Sequence, residues 1–453
     1  MIASPAFRGK RYAVLGLARS GRATVEALAA SGADVLAWDK SEEARGSVAG
    51  KVKLGDPLTV DLAGYDGIVV SPGVPLNRHP IAAKASLAGV PLVGDIELFA
   101  QARPSLPPHK VVGITGTNGK STTTALVHHI LETAGVPATM AGNIGYPILG
   151  QDPLPAGGVY VLELSSYQID LTRSLDCDVA VLLNITPDHL DRYDSFQSYV
   201  ASKRRLFDMQ SASHVAITTD NDLSAQTFND ILKYRSIKTA WACTEFNDIL
   251  AAASVADGGA YHYGDRFASQ TEWANLQGPH NAENAAAAIA ATLELGVPLE
   301  RVAQGLRTYP GLPHRMERVG EREGVLFVND SKATNPDSAA PALAAYDAVH
   351  WIVGGLAKSD ELGPCERHLG HVRAAYTIGE AGPMFARLLE GKVPVRQCEM
   401  LVEAVQRAAD AAAPGEVVLL SPACASFDQF RDYEARGDAF RAAVESLGER
   451  VGA

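Results

Sequence analysis

The chain has 453 residues, of which 47% are hydrophobic and 20% charged, and this composition predicts a globular protein of about three domains. Its formal net charge of −12 excludes nucleic acids and anionic membranes as expected partners, because no net positive field would attract their phosphates. No stretch approaches about 18 consecutive apolar residues, so we expect a cytoplasmic protein that does not cross a membrane.

The first hundred residues alternate β-type and helical segments. Predicted strands cover Arg11–Leu17, Asp34–Asp39 and Gly67–Gly73, and a helix over Arg22–Ala30 separates the first two. This βαβ order predicts a Rossmann-like domain with a parallel sheet at residues 1–102. The segment ARPSLPPHK that follows contains three prolines and predicts a linker.

The rest of the chain repeats the α/β pattern twice. Residues 103–311 contain continuous apolar runs at Val159–Leu164 and Val179–Ile185, which are typical of strands covered on both faces, and an Ala-rich helix. They predict a central P-loop ATPase domain with a mostly parallel sheet. After the Pro- and Gly-containing YPGLPHR segment, residues 312–453 predict a third domain, also Rossmann-like. Its predicted strands are Val325–Asp330, His350–Gly355, Ala374–Gly379 and Glu416–Pro422.

The segment GITGTNGKSTTT (113–124) lies between a predicted strand and a predicted helix. Backbone N–H groups of a Gly-rich turn at a helix N-terminus form an anion site, the lysine adds a positive charge, and the next hydroxyl can bind Mg²⁺. Gly116, Gly119, Lys120 and Ser121 match these roles, although Ile114 stands where the strict motif has glycine. A plain turn is the alternative.

Other polar residues follow buried strands. Glu163 ends one strand and predicts a Mg²⁺ ligand, with a strand-terminal surface residue as the alternative. Asp188 and His189 follow the next strand, where each could instead cap a helix. Lys203 would by default be a solvated helix lysine.

The N-terminal segment LGLARSG resembles a dinucleotide-binding fingerprint at Gly16 and Gly21. Ala18 replaces the glycine that lets the backbone approach a pyrophosphate closely, which weakens a dehydrogenase interpretation. Asp39, at the end of the second strand, could bind a ribose hydroxyl. The five cysteines lie far apart without CxxC spacing, so we expect buried thiols in a reducing compartment.

Several motifs together resemble the Mur ligases of peptidoglycan synthesis, in particular members that add D-glutamate. They occur in order through all three predicted domains: GTNGKST, ELSSYQ, NITPDHLDRY, GPHNAENAAAA, GLPHRMERV, NDSKATN and SPACASFDQF. The resemblance implies that the first domain binds UDP-N-acetylmuramoyl-L-alanine, the second ATP with Mg²⁺, and the third D-glutamate. It implies a ligase that activates the alanine carboxylate as an acyl phosphate and acts as a monomer on small-molecule substrates.

The resemblance also assigns residues, each by its matching motif. The UDP-substrate would contact Leu17, Ala18, Asp39, Lys40, Ser71, Gly73, Asn143 and His189. ATP would contact Gly116, Thr117, Asn118, Gly119, Lys120, Ser121, Thr122, Asn281, Arg315 and Asp330. Metal ligands would be Ser121, Glu163, His189 and a carbamylated Lys203, and the catalytic residues Lys120, Glu163, His189 and Lys203. D-glutamate would contact Lys332, Thr334, Lys358, Ser426 and Tyr433.

Two residues depart from the family pattern. Tyr433 occupies a position where the family commonly has phenylalanine, and Leu356 a position where it can have aspartate. Alternatives within the class are another Mur ligase or a folylpolyglutamate synthase. The latter normally lacks about 110 residues before its phosphate loop, and the Asn-Pro-Arg signature of diaminopimelate- or lysine-adding ligases is absent from the sequence. A nucleotide-gated regulatory protein is an alternative from another class. Such a protein would not need the predicted metal ligands and Lys203, which argues against it.

Overall fold

The computed structural model of the chain describes residues 1–188, 192–219, 238–245, 248–256, 259–262 and 270–447. Within these ranges, three β-sheets alternate with helices, which confirms the predicted α/β class with parallel sheets. No described helix has the length and apolarity that a membrane span requires. The helices are α1 (Arg19–Ala30), α2 (Glu42–Gly46), α3 (Ile81–Ala88), α4 (Asp95–Ala102), α5 (Lys120–Thr133), α6 (Ser166–Asp170), α7 (Phe196–Asp208), α8 (Pro279–Glu294), α9 (Leu299–Thr308), α10 (Pro336–Ala344), α11 (Gly382–Leu389), α12 (Leu401–Ala411) and α13 (Tyr433–Ser446).

The first sheet is parallel throughout and has the order β3-β2-β1-β4-β5. Its strands are β1 (Arg11–Leu15), β2 (Asp34–Trp38), β3 (Lys53–Leu54), β4 (Gly67–Val70) and β5 (Leu92–Val93). Strands β1, β2 and β4 end earlier than predicted, because the chain turns at their carboxyl ends. The N–H of Gly16 there donates to Trp38 O, and that of Ser71 donates to Leu15 O.

The second sheet has the order β13-β12-β11-β10-β9-β6-β8-β7. It is parallel from β7 to β11 and antiparallel in its last two pairs. The strand predicted over Val179–Ile185 ends at Leu182. The N–H of Leu183 still donates to Thr115 O of β6, and Asn184 O then accepts a hydrogen bond from the Thr117 N–H of the Gly-rich loop. The strands are β6 (His109–Thr115), β7 (Ala138–Gly142), β8 (Gly158–Glu163), β9 (Val179–Leu182), β10 (Val215–Thr219), β11 (Lys238–Glu245), β12 (Asp248–Ala256) and β13 (Gly259–His262).

The third sheet has the order β14-β15-β19-β16-β17-β18 and is parallel except for β14. Helices cover both faces, and two apolar clusters form its core. The strands are β14 (Glu317–Arg322), β15 (Val325–Asn329), β16 (Val349–Gly354), β17 (Val372–Ile378), β18 (Val395–Glu399) and β19 (Val417–Leu420). Four of the five cysteines are buried and free, as predicted: Cys177, Cys365, Cys398 and Cys424. The side chain of Cys243 lies outside the described part of the chain.

The chain folds into two compact units. The first unit contains residues 1–269 and 283–308, and therefore the first two sheets. The second contains residues 270–282 and 309–453, with the third sheet. The domain limits after residues 102 and 311 remain predictions.

Glu97 of α4 connects the two sheets of the first unit. It is 4% exposed, and its carboxylate accepts hydrogen bonds from the N–H groups of Arg173 (2.7 Å) and Ser174 (3.0 Å) and from the Ser174 hydroxyl (2.8 Å). A charged acceptor with several donors is among the stronger polar interactions in proteins. Glu97 therefore holds α4 against the segment that follows α6.

We predict that Glu97→Ala destabilises the protein by about 2 kcal/mol or more, because these three donors and Gln101 Nε2 lose their acceptor. Scanning calorimetry at one fixed scan rate should show a lower apparent Tm. Glu97→Gln retains one acceptor oxygen and should shift the Tm less. Equal Tm values for the wild type and both variants would contradict this role.

Candidate active site

The Gly-rich loop joins β6 to α5, as its sequence predicted. Gly116 and Gly119 have φ angles of 155° and 83°, which L side chains rarely adopt. A Cβ built on Gly119 would lie 2.1 Å from Asn284 Oδ1, so a larger residue would collide with the helix α8 side chain. The loop therefore keeps its backbone close to the start of α5, where N–H groups and the helix dipole favour an anion.

Neighbouring side chains hold the loop in this conformation. The N–H of Asn118 donates to Asn184 Oδ1 (2.8 Å), and Asn184 Nδ2 donates back to Asn118 O (3.2 Å). Thr117 Oγ1 lies 3.1 Å from the Tyr199 hydroxyl oxygen. The sequence analysis did not single out Asn184, Tyr199 or Asn284, although each lies inside or beside a motif noted there.

Two lysines donate to the same carbonyl oxygen. Lys120 Nζ lies 3.0 Å from Gly116 O and 2.7 Å from Thr117 O, and Lys203 Nζ lies 2.7 Å from Gly116 O. Lys203 is 1% exposed, and its Nζ lies 4.6 Å from the centre of the Tyr199 ring. The solvated helix lysine that composition alone suggested is therefore wrong for this position.

The surroundings of Lys203 disfavour its charged form. Burial first, and then the Lys120 ammonium, lower the pKa of Lys203 well below its ordinary value. The carboxylates of Asp188 and Asp170 act in the opposite direction. The buried amine is therefore far closer to neutrality than an exposed lysine.

Glu163 ends β8 beside the strand that leads into the Gly-rich loop, paired in register with Ile114. The side chain is 1% exposed, and Asn143 Nδ2 donates to Oε1 (2.9 Å). Oε2 is buried and has no hydrogen-bond partner among the described residues. A buried carboxylate oxygen without a partner is costly, which indicates a missing ligand at this atom.

These residues fit a Mg²⁺ ion, because hard cations prefer oxygen ligands. Besides Glu163, the hydroxyl-bearing Ser121 lies in the first turn of α5 and is 3% exposed. Within the described part of the chain, no three His, Cys, Asp or Glu residues form a metal-binding group. The predicted set instead combines these two residues with Lys203 and with His189, which lies outside the described residues.

The predicted UDP-substrate residues of the first sheet lie at its carboxyl edge. Asp39 accepts hydrogen bonds from the N–H groups of Leu17 (2.7 Å) and Ser41 (2.8 Å), so it shapes the turn after β1. The Ser71 hydroxyl donates to Gly16 O (3.1 Å) and so connects the end of β4 to the same turn. Ala18 precedes α1 and is exposed, as are Lys40 and Gly73.

The remaining predicted ATP residues belong to the second unit, where Arg315 and Asp330 interact electrostatically. Burial raises the pKa of Asp330 to about 7, opposed by a hydrogen bond from the Ser421 hydroxyl and by the Arg315 charge. Arg315 Nε is buried without a hydrogen-bond partner among the described residues, which suits an anionic ligand. Asn281 lies in the first turn of α8 and is 5% exposed.

The predicted D-glutamate residues follow neighbouring strands of the third sheet. Lys332 and Thr334 follow β15, Lys358 follows β16, Ser426 follows β19, and Tyr433 begins α13. Because β15, β19 and β16 are adjacent and parallel, these residues lie at one edge of the sheet. Lys332 Nζ lies 5.5 Å from the centre of the Tyr433 ring.

Arg436, which the sequence analysis missed, joins the loops that carry these residues. It is 1% exposed, and its guanidinium donates to Ser331 O (2.8 Å), Ser331 Oγ (3.0 Å) and Cys424 O (3.0 Å). Its position in the first turn of α13 gave no local sequence signal, because a helix arginine is ordinarily exposed.

Solved structures share this fold. UDP-N-acetylmuramate-alanine ligase MurC from Thermotoga maritima superposes with a TM-score of 0.58 at 18% identity, covering 97% of this chain and 99% of that one. MurF ligase from Thermotoga maritima in complex with ADP gives a TM-score of 0.57 at 16% identity, covering 99% and 98%. At these identities the similarity concerns the fold.

Sequence comparison is more specific. Residues 114–292 match the Mur ligase middle domain, and residues 314–424 match the Mur ligase, glutamate ligase domain. A protein of Novosphingobium aromaticivorans named UDP-N-acetylmuramoylalanine--D-glutamate ligase is 60% identical over 449 residues, 99% of this chain and 97% of its own. A protein of Sphingopyxis alaskensis with the same name is 58% identical over 455 residues, 99% of this chain and 100% of its own. With both domains and near-complete alignments at such identity, the chain belongs to the Mur ligase family.

Proposed function

We propose that the protein is an ATP-dependent ligase that joins D-glutamate to UDP-N-acetylmuramoyl-L-alanine in peptidoglycan precursor synthesis. The observation that carries the proposal is the group of residues at the Gly-rich loop. There, two lysines share the Gly116 carbonyl, and β8 ends in Glu163, whose Oε2 has no hydrogen-bond partner in the part of the chain that the structure describes. The names of the full-length relatives support the substrate choice. The proposal includes a cytoplasmic monomer with domain limits after residues 102 and 311.

The reaction requires an activated carboxylate. A carboxylate oxygen of the substrate's alanine attacks the γ-phosphorus of ATP, the bond to the bridging oxygen of ADP breaks, and an acyl phosphate forms. The amine of D-glutamate then attacks the acyl carbon. The carbon–oxygen bond to phosphate breaks, the amine loses a proton, and an amide, ADP and phosphate result.

The first step brings two anions together, so positive charge near the phosphates lowers its barrier. We assign this role to Lys120, which begins α5. Mg²⁺, when bound, would neutralise phosphate charge and orient the transferred group. Glu163 and Ser121 are the described residues that would hold it, together with the predicted His189.

Lys203 can join this site only in a changed form. A cation would repel the metal, whereas its 1% exposure favours the neutral amine. The neutral nitrogen can bond to the carbon of CO₂ and release a proton, which gives a carbamate. The carbamate is an anion with oxygen donors suited to Mg²⁺.

Cations and hydroxyl groups of the third domain would select D-glutamate. A small dianion needs charge-assisted hydrogen bonds to be oriented. Lys332 and Lys358 supply charge, and Thr334, Ser426 and Tyr433 supply hydroxyl groups. The stereochemistry rests on the relatives' names.

The main test measures phosphate release from ATP with UDP-N-acetylmuramoyl-L-alanine and a panel of amino acids in both enantiomers. We expect release with D-glutamate and a background rate with other amino acids. With ¹⁸O in the alanine carboxylate, one labelled oxygen should appear in the released phosphate. A different preferred amino acid would indicate another ligase of the family, and unlabelled phosphate would exclude the acyl phosphate.

We predict that Lys203→Ala abolishes turnover while the circular dichroism spectrum stays unchanged. Formate or acetate should partly restore the rate by occupying the anionic position. Lys110→Ala, which removes an exposed lysine at the start of β6, is the matched control and should remain active. Native mass spectrometry of the wild type should show the added mass of one CO₂.

Two results would count against a carbamate. Near-normal activity of Lys203→Ala would exclude any catalytic role for the residue. An inactive variant that no carboxylate rescues, together with an unmodified wild type, would identify Lys203 as an ordinary cation.

We predict that Lys358→Ala raises the apparent KM for D-glutamate much more than the KM for ATP, because the exposed ammonium after β16 would pair with a substrate carboxylate. Lys392→Ala removes an exposed lysine that pairs with Glu366 and serves as the control. Steady-state kinetics with each substrate varied separately give both constants. An equal or larger effect on ATP would reject the assignment of Lys358.

A further inference from the structure

Strand β18 forms one edge of the third sheet and pairs with β17. Helices lie on both sides of this edge. Leu389 of α11 belongs to the apolar cluster that contains Trp351, whereas Val405 of α12 belongs to the cluster that contains Ile352. Because consecutive residues of a strand point to opposite faces, α11 and α12 cover opposite faces of the sheet.

A groove of about 650 Å³ follows β18 between these helices. One wall comes from α11, the floor comes from β18 and the segment before it, and α12 contributes Arg407. An edge strand leaves alternate backbone N–H and C=O groups available to another chain. The groove is therefore shaped for an extended peptide that adds a strand to the sheet. The lining residues are Pro383, Ala386, Arg387, Glu390, Gly391, Val393, Val395, Arg396, Gln397 and Arg407.

The groove is basic, although the chain carries a net charge of −12. It contains the exposed Arg387, Arg396 and Arg407 and one acidic residue, Glu390. Arg407 pairs with Glu403 at 2.5 Å, whereas Arg387 and Arg396 form no ion pair among the residues that the structure describes. An acidic partner would supply the missing counter-charge.

The opposite edge of the same sheet differs in charge. Strand β14 there has the sequence ERVGER, in which acidic and basic residues alternate in sign. Its Glu317 also pairs with Arg441 (2.7 Å). Strand β18 itself carries one arginine and one glutamate, so the excess of arginine in the groove comes from Arg387 of α11 and Arg407 of α12.

The arginines lie on both sides of the strand. Val395 packs against the same apolar cluster as α11, so Arg396, the next residue of the strand, points to the α12 face and shares it with Arg407. Arg387 lies in α11 on the other face. In an added strand, neighbouring residues would also alternate between these faces. Consecutive acidic residues are therefore needed to reach all three arginines, since an alternating pattern would reach one face.

We propose that the β18 groove binds an extended segment of another protein that contains consecutive acidic residues. A second copy of this chain fits less well, because its own arginines would face those of the first copy. The strand has five residues, so a segment of similar length would span it. This proposal is independent of the ligase function.

The test uses the whole protein and the capped, fluorescently labelled peptide Thr-Val-Glu-Glu-Glu-Val-Thr in an anisotropy titration. We expect saturable binding that weakens with increasing salt. The double variant Arg387→Glu, Arg396→Glu should bind at least about tenfold more weakly, because two attractions become repulsions. Arg318→Glu, on the opposite edge, is the matched control and should bind like the wild type. All variants should retain ligase activity.

Three further ligands separate strand addition from other binding. A peptide with N-methyl groups at alternate residues cannot pair with the strand and should bind poorly, as should a peptide with three lysines in place of the glutamates. Inorganic triphosphate should compete weakly. Equal binding of the N-methylated peptide, effective competition by triphosphate, no binding of the acidic peptide, or dimers in analytical ultracentrifugation that the double variant abolishes would each overturn the proposal.

Discussion

The carbonyl oxygen of Gly116 accepts hydrogen bonds from both Lys120 and Lys203, and this shared acceptor constrains the whole Gly-rich loop. Two ammonium groups on one oxygen repel each other, and the repulsion is strongest where water is excluded. Lys203 is the lysine whose charged form is disfavoured, because burial and the Lys120 charge both lower its pKa. Lys120 is the partly exposed member of the pair.

The parallel sheet explains why these groups meet. Strands β8, β6 and β9 are adjacent and run in one direction, so the residues at their carboxyl ends lie side by side. Glu163, the Gly-rich loop and Asn184 are brought together in this way. The bonds between Asn118 and Asn184 then hold the loop against the end of β9, so its geometry depends on the sheet as well as on its glycines.

The third sheet applies the same rule and also presents an open edge. The predicted amino-acid ligands follow three adjacent strands, and Arg436 joins two of the loops that carry them. Strand β18 lies outside this group of strands, so its basic groove can serve a different purpose. One sheet thus carries the predicted amino-acid ligands at its carboxyl edge and the groove along its side.

The sequence by itself determined the α/β class, the Gly-rich loop and the placement of polar residues after strands, because these depend on local periodicity and on turn chemistry. Strand ends such as Leu182 were less accurate, because the residues beyond them bond to loops, as Asn184 O does to the Thr117 N–H. The tertiary structure alone decided that Lys203 is buried against a carbonyl 87 residues away. It also decided that Asn143 occupies one oxygen of Glu163, whereas the other has no partner among the described residues. Burial and hydrogen bonding depend on contacts between residues that are distant in sequence, and a local sequence pattern does not encode such contacts.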